Sequence, residues 1–357
     1  MRATPAGTAA TPAHASLLAP TPREGAPTRP SRPAPAPQLS RTPASLRRPE
    51  SRKPSQAAPG APAPPSARAA STPGALPSCR AGADLSRALS AAAAGAVVLP
   101  WYSRRVAMSD LPSSYAGDCH VRSGRELSHC MRGDPAGSVF VALFGDSHAA
   151  AWEPALHALG VARGWRVEMV THSACPPFAR GSDSCGAWRG AALRHLAAAR
   201  PALVVLSSLY SYGLVGNGSE ALDASLGSLA GLRLLWLGDS PPVEADAPAC
   251  LHAFATSDAR RCDLRRSTPL FERFGEAVRA AVTRHGGAFI DVRRWMCDST
   301  VCPAALGGVS VVRDESGHLA ASFTRRLAQC LLKSMLEVGL APPDAVDGVG
   351  DDALWPS

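Results

Sequence analysis

Residues 1–78 contain no Cys, Phe, Trp, Tyr, Val or Ile, so they have nothing with which to build a packed core. The same stretch holds 18 of the 33 prolines, together with ten basic and two acidic residues. It reads as a disordered Pro/Ala/Arg-rich tail. Long apolar runs are missing as well. The segment from Ala91 to Trp101 falls well short of the roughly 20 residues that span a bilayer. Met1 to Pro30 is interrupted by Pro5, Pro12, Pro20 and Pro22 and has no continuous apolar stretch, so no signal peptide is expected there. A charge excess of one sign is absent from the remainder. The chain carries 37 Lys and Arg against 29 Asp and Glu, a formal charge of +8, but the tail accounts for the surplus and leaves 27 of each sign in residues 79–357. That neutrality argues against a nucleic-acid partner. Residues 79–118 read as a linker, 119–340 as the folded domain and 341–357 as an acidic tail.

All ten cysteines lie at or beyond position 79, and eight form close sequential pairs: Cys119 with Cys130, Cys175 with Cys185, Cys250 with Cys262, and Cys297 with Cys302. This pattern suggests local disulfides and an oxidising, extracytoplasmic compartment. Cys79 and Cys330 are left over. A rival reading is zinc, with Cys119-His120 and His129-Cys130 offering two thiols and two imidazoles, although the tight Cys-x2-4-Cys spacing of structural zinc is absent.

From residue 138 onward short apolar runs alternate with amphipathic stretches, as parallel strands alternate with crossover helices. Strands are expected at 138–144, 166–171, 202–207, 232–237 and 288–292, rich in Val and Leu and mostly non-alternating, as in strands buried on both faces. Helices are expected at 149–163, 187–200, 220–229, 269–285 and 319–339. The fold class is therefore α/β, a three-layer doubly wound, flavodoxin-like parallel sheet of about five strands.

In such a sheet ligands sit beyond the carboxyl ends of the strands. Val141-Ala142-Leu143-Phe144-Gly145-Asp146-Ser147-His148 places Ser147 between a buried strand and a helix start, where free backbone N–H groups and the positive dipole end face an anionic intermediate. The bland alternative is that Asp146 or Ser147 merely caps the helix. Near the C-terminus, Arg313-Asp314-Glu315-Ser316-Gly317-His318-Leu319 sets an acid just before a histidine, so one loop could deliver a base, His318, and its orienter, Asp314. Trp152, Trp165, Trp236 and Trp295 read as packing or rim residues. Asp239, in an Asp-Ser-Pro-Pro segment after the fourth strand, could line the cleft but reads first as a turn residue.

Taken together, Gly145-Asp146-Ser147-His148 and the Asp314…His318-Leu319 loop resemble the first and last motif blocks of the SGNH (GDSL-like) hydrolases. The resemblance is closer to the SGNH domain fused behind membrane acyltransferases of the acyltransferase-3 family, and it covers roughly residues 115–335. Cys130-Met131-Arg132-Gly133-Asp134, Trp152-Glu153-Pro154-Ala155-Leu156, Cys175-Pro176-Pro177 and Pro201–Ser208 carry it further. It implies an SGNH fold and a Ser147 acyl-enzyme. It also implies an acyl donor, a cell-surface glycan acceptor, a possible separate membrane acyltransferase as partner, and no cofactor or metal.

Three departures accompany it. The Asn that typical members carry after the third strand, as an oxyanion-hole donor, is replaced by Ser207-Ser208; the sole asparagine of the chain is Asn217. A backbone N–H of Ser147 and a small residue would then form the hole. Family members usually show Asp-x-x-His, which puts Glu315 at the usual offset and Asp314 one residue further away. The membrane acyltransferase part is not seen before Cys119, so the domain either works with a separate membrane protein or belongs to a gene whose start is misread. A catalytically inactive glycan-binding or scaffolding module is the alternative to the enzyme.

Overall fold

The computed structural model describes residues 103–343, except 182–183, 214–217, 255–258 and 307. The expected tail, most of the linker, Cys79, Asn217 and the acidic end from 344 lie outside the described residues.

Seven strands form one sheet: β1 (His120–Val121), β2 (Cys130–Gly133), β3 (Val139–Gly145), β4 (Trp165–His172), β5 (Leu203–Ser207), β6 (Leu234–Leu237) and β8 (Ala288–Ile290). The five that the apolar runs mark out are all parallel and ordered β4-β3-β5-β6-β8, so counted among themselves the order is 2-1-3-4-5, the flavodoxin-like arrangement. Two further strands share the outer edge of β4 end to end. β1 pairs with it in parallel at Thr171 and His172, and β2 antiparallel from Arg166 to Met169. The expectation of about five strands thus omits this edge, whose pairings involve only two and four residues without an apolar run. Short ribbons pair β7 (Leu264–Arg265) with β9 (Val301–Cys302), and β10 (Ala305–Leu306) with β11 (Val309–Ser310).

Side chains on successive strand residues point to opposite faces, and the core divides accordingly. Val141, Leu143, Val205 and Leu235 face one layer, which holds α1 (Arg104–Ser109), α3 (Glu153–Arg163), α8 (Ala321–Arg326) and α9 (Ala328–Glu337) through Ala107, Leu156, Phe323 and Leu331. Ala142, Phe144, Leu206 and Trp236 face the other, where α4 (Gly186–Ala199), α5 (Gly218–Gly227) and α7 (Pro269–Arg284) contribute Trp188, Leu222 and Phe274. This is the three-layer α/β sandwich that the non-alternating runs imply. Two expected helices are each broken in two. The first divides into α2 (Ser147–Ala150) and α3, because Trp152 packs edge-on against Trp295 and Pro154 restarts the helix in its first turn. The last divides at Leu327 into α8 and α9. One helix, α6 (Ala247–Phe254), is not among those expected.

The four sequential cysteine pairs are disulfides: Cys119–Cys130, Cys175–Cys185, Cys250–Cys262 and Cys297–Cys302. Cys330, expected to be left over, is disulfide-bonded too. Bonded sulfurs are not thiolates, so the zinc reading that relied on Cys119 and Cys130 is overturned. His120 is buried between the Thr171 and Ser173 hydroxyls at 3.0 Å each.

Candidate active site

Gly145 ends β3 at φ +150°, and a side chain there would run into the carbonyl oxygen of Ser207 on the neighbouring strand and the methyl of Ala149. Only glycine lets β3 turn so tightly into α2 beside β5. Asp146 then caps α2, one carboxylate oxygen accepting from the N–H groups of His148 (2.8 Å) and Ala149 (3.3 Å), while the other accepts from Leu209 N–H (2.9 Å) beyond β5. The carboxylate therefore ties the end of β3 to the end of β5, across the point where the strand order reverses. Burial pushes it above the ordinary aspartate value against the pull of His148 and these N–H donors. The capping role weighed for this turn falls to Asp146, which leaves Ser147 free to point elsewhere.

Ser147 Oγ lies 2.8 Å from His318 Nε2, and His318 Nδ1 lies 2.9 and 2.8 Å from the two oxygens of Asp314. The structure thus brings together all three residues singled out from the sequence. Because Nδ1 faces a carboxylate, the ring proton is held there and Nε2 turns its lone pair toward the serine hydroxyl. The extra residue between Asp314 and His318 is absorbed by a closed turn. Asp314 accepts from the N–H groups of Ser316 and His318, Arg313 N–H donates to the His318 carbonyl, Gly317 takes φ +82°, and Val312 bridges Leu319 across the base. Glu315, at the family's usual offset, is exposed on the outside of this turn. Arg313 Nη1 pairs with Asp314 at 2.8 Å, and its guanidinium lies over the Tyr115 ring. Burial pushes Asp314 up, but the His318 hydrogen bond and the His318 and Arg313 charges outweigh it, so the carboxyl stays below its ordinary value. Burial also lowers His318; the Asp314 hydrogen bond opposes this and the neighbouring His148 adds to it, leaving the imidazole below the usual histidine range.

A second imidazole–carboxylate pair stands beside the first. His148 Nδ1 is 2.7 Å from Asp239 Oδ1, both residues are 4% exposed, and the His148 and His318 ring centroids are 4.6 Å apart. Asp239 also accepts from the N–H groups of Tyr210 and Ser240, and Ser240 Oγ donates to the Gly317 carbonyl at 2.6 Å, bracing the turn that carries His318. The sequence reading of Asp239 as a turn or cleft residue does not include this pairing with His148. His148 and Asp239 are 91 residues apart, and only the adjacency of β3, β5 and β6 brings them together. Asp239, Tyr210, Leu270, Glu315 and Ser316 line a cavity of about 280 Å³ next to the triad loop. Ser207 and Ser208, standing where the expected Asn would be, are fully buried, and their hydroxyls have no hydrogen-bond partner among the described residues.

No protein of curated function matches the chain. Among solved structures it is similar to the periplasmic domain of a lipopolysaccharide acetyltransferase from Salmonella ser. Paratyphi A, at 15% identity and a TM-score of 0.48, over 62% of this chain and 92% of that one. It is also similar to a carbohydrate acetylesterase from Sinorhizobium meliloti, at 13% identity and a TM-score of 0.37, over 56% of this chain and all of the other. At these scores neither neighbour carries an inference about chemistry. The family profile described as SGNH domain (fused to AT3 domains) matches residues 118–333, a stretch that includes every strand of the main sheet, the Gly145-Asp146-Ser147-His148 turn and the Asp314–His318 loop, and the chain belongs to that family.

Proposed function

We propose that this domain is a serine-dependent O-acyltransferase or esterase acting on a glycan of the cell envelope, through an acyl-enzyme at Ser147. One observation carries the reading: an unbroken Ser147–His318–Asp314 hydrogen-bond chain beyond the carboxyl ends of the strands. In the first step Ser147 Oγ attacks the carbonyl carbon of an acyl ester and passes its proton to His318 Nε2, while Asp314 holds the ring and offsets the imidazolium charge. The oxyanion is met by the Ser147 N–H in the first turn of α2. His318 returns the proton to the departing alcohol. It then takes a proton from the incoming sugar hydroxyl or water, whose oxygen attacks the acyl carbon and frees Ser147. The sequential disulfides favour an oxidising, extracytoplasmic setting. No helix among the described residues is long and apolar enough to cross a membrane. The partner proposed to supply the acyl group is a separate membrane acyltransferase, the kind of domain to which the family is fused.

Intact-mass spectrometry of the oxidised protein mixed with an activated acetyl ester tests this. A transient acetyl adduct on Ser147, absent from Ser147→Ala and not accumulating in His318→Ala, is expected. A folded protein that neither acylates nor turns over ester would instead be a binding module.

A further inference from the structure

His129 takes no part in the site described above, and with Cys119 and Cys130 disulfide-bonded it has no thiol partners for a metal. It belongs to a different cluster. Its Nδ1 lies 3.3 Å from Oε1 of Glu168, whose Oε2 lies 2.8 Å from Nε2 of His195, and the two imidazoles meet edge to face with centroids 5.0 Å apart. All three ligand atoms fall within 4.8 Å of one another. Glu168 is 2% exposed on β4, inside the sheet, and among the described residues its ion-pair partners are these two imidazoles. Neither is a permanent cation such as Arg or Lys. Burying a carboxylate without a full counter-charge is unfavourable, and a divalent ion at this point would offset that cost.

We infer that His129, Glu168 and His195 form a divalent-metal site of zinc type, with two nitrogens and one carboxylate oxygen as protein ligands and a fourth position open to water. Such a ligand set at metal distances of about 2.0–2.2 Å is that of three-ligand zinc sites. Two of the three pairs are already as close as ligands of one ion require. The remaining gap closes through His129, whose side chain is 62% exposed and can swing inward. To bind, each imidazole shifts its proton to the ring nitrogen facing away from Glu168 and presents a lone pair. The frame is rigid at two corners. Glu168 sits between its β2 and β3 neighbours, Met131 and Ala142, and His195 lies within α4. The third corner follows Ser128, whose hydroxyl donates to the carbonyls of Cys119 and Met169, and precedes the Cys119–Cys130 disulfide. A bound ion would therefore pin residues 119–130 to α4. Residues 120–128 line a cavity of about 630 Å³ together with Tyr115, whose ring stacks on His120 and carries Arg313, so the ion would hold a wall of that cavity.

Isothermal titration of chelator-treated full-length protein with zinc chloride tests the assignment, with His129→Ala, His195→Ala and His318→Ala alongside and folding checked by circular dichroism. One zinc per chain is expected, bound at least tenfold more weakly by His129→Ala and by His195→Ala and with unchanged affinity by His318→Ala. His129 is exposed, so its variant keeps the comparison valid even if Glu168 or His195 variants misfold. Zinc binding equal in wild type and His129→Ala, loss in His318→Ala instead, or no binding below millimolar zinc would each overturn the site.

Discussion

Two histidine–carboxylate pairs lie ring to ring in this molecule, and they differ in what the far nitrogen meets. His318, held by Asp314, turns Nε2 to the Ser147 hydroxyl at 2.8 Å, whereas His148, held by Asp239, has a buried Nε2 with no hydrogen-bond partner among the described residues. The two also titrate in opposite directions. Burial lowers His148, but the charge and hydrogen bond of Asp239, joined by Asp146 and Asp314, raise it above the ordinary histidine value, while His318 is lowered. When one imidazole of the couple is protonated it is therefore His148, and its charge helps to keep His318 neutral and able to accept the serine proton. A histidine beside an aspartate is not in itself a base; reach to a hydroxyl and a depressed proton affinity distinguish one pair from the other.

The largest effect expected is from breaking the reaching pair. His318→Gln should lower kcat by about 10³- to 10⁴-fold and Asp314→Asn by a similar factor, against at most about 30-fold for His148→Gln, measured by ester turnover. Comparable losses in His318→Gln and His148→Gln would erase the distinction. Asp239→Asn should act mainly on stability, by roughly 1–3 kcal/mol in urea titrations, because it weakens a buried charged contact that also holds Tyr210 and Ser240.

The pairing is only half legible in the sequence, and the reason is physical. Ser147 announces itself by following an apolar strand, and Asp314 and His318 share one loop, so local order suffices to name them. His148 and Asp239 are joined by strand order, which no local pattern encodes. The same holds for the fold. The run Leu203-Val204-Val205-Leu206 stands out because both faces of its strand are buried, which leaves no polar residue to interrupt it. β1 and β2 are edge pairings made by backbone groups rather than by an apolar pattern, and the break at Trp152 depends on Trp295, which lies far along the chain.

With His318 depressed, the acidic limb of the pH–rate profile should lie below about pH 6.5, since the free base is the active form. In Asp239→Asn, His148 loses its main counter-charge and carries less positive charge, so His318 should rise and the limb should move to higher pH. A limb that stays put would show that the two imidazoles do not communicate. His120 has no carboxylate partner among the described residues and serves as a third case. Burial, followed by His172 and His318, lowers it to about 3. Its folded-state value lies below the unfolded one, so the stability tied to its neutral form is complete above about pH 6.5 and declines as pH falls toward about 3. The loss should be up to about 2 kcal/mol at about pH 5. His120→Asn should flatten that decline in urea titrations between about pH 7 and pH 5, and an unchanged slope would contradict the assignment.

The most direct measurement is the rate at which Ser147 is acylated, followed by rapid-quench intact mass and peptide mapping in wild type, His318→Ala and His148→Ala. The expected result is an adduct confined to Ser147 that forms at least about 10³-fold more slowly in His318→Ala and within about 30-fold of wild type in His148→Ala. Acylation at another residue, or a greater loss from His148→Ala than from His318→Ala, would contradict it.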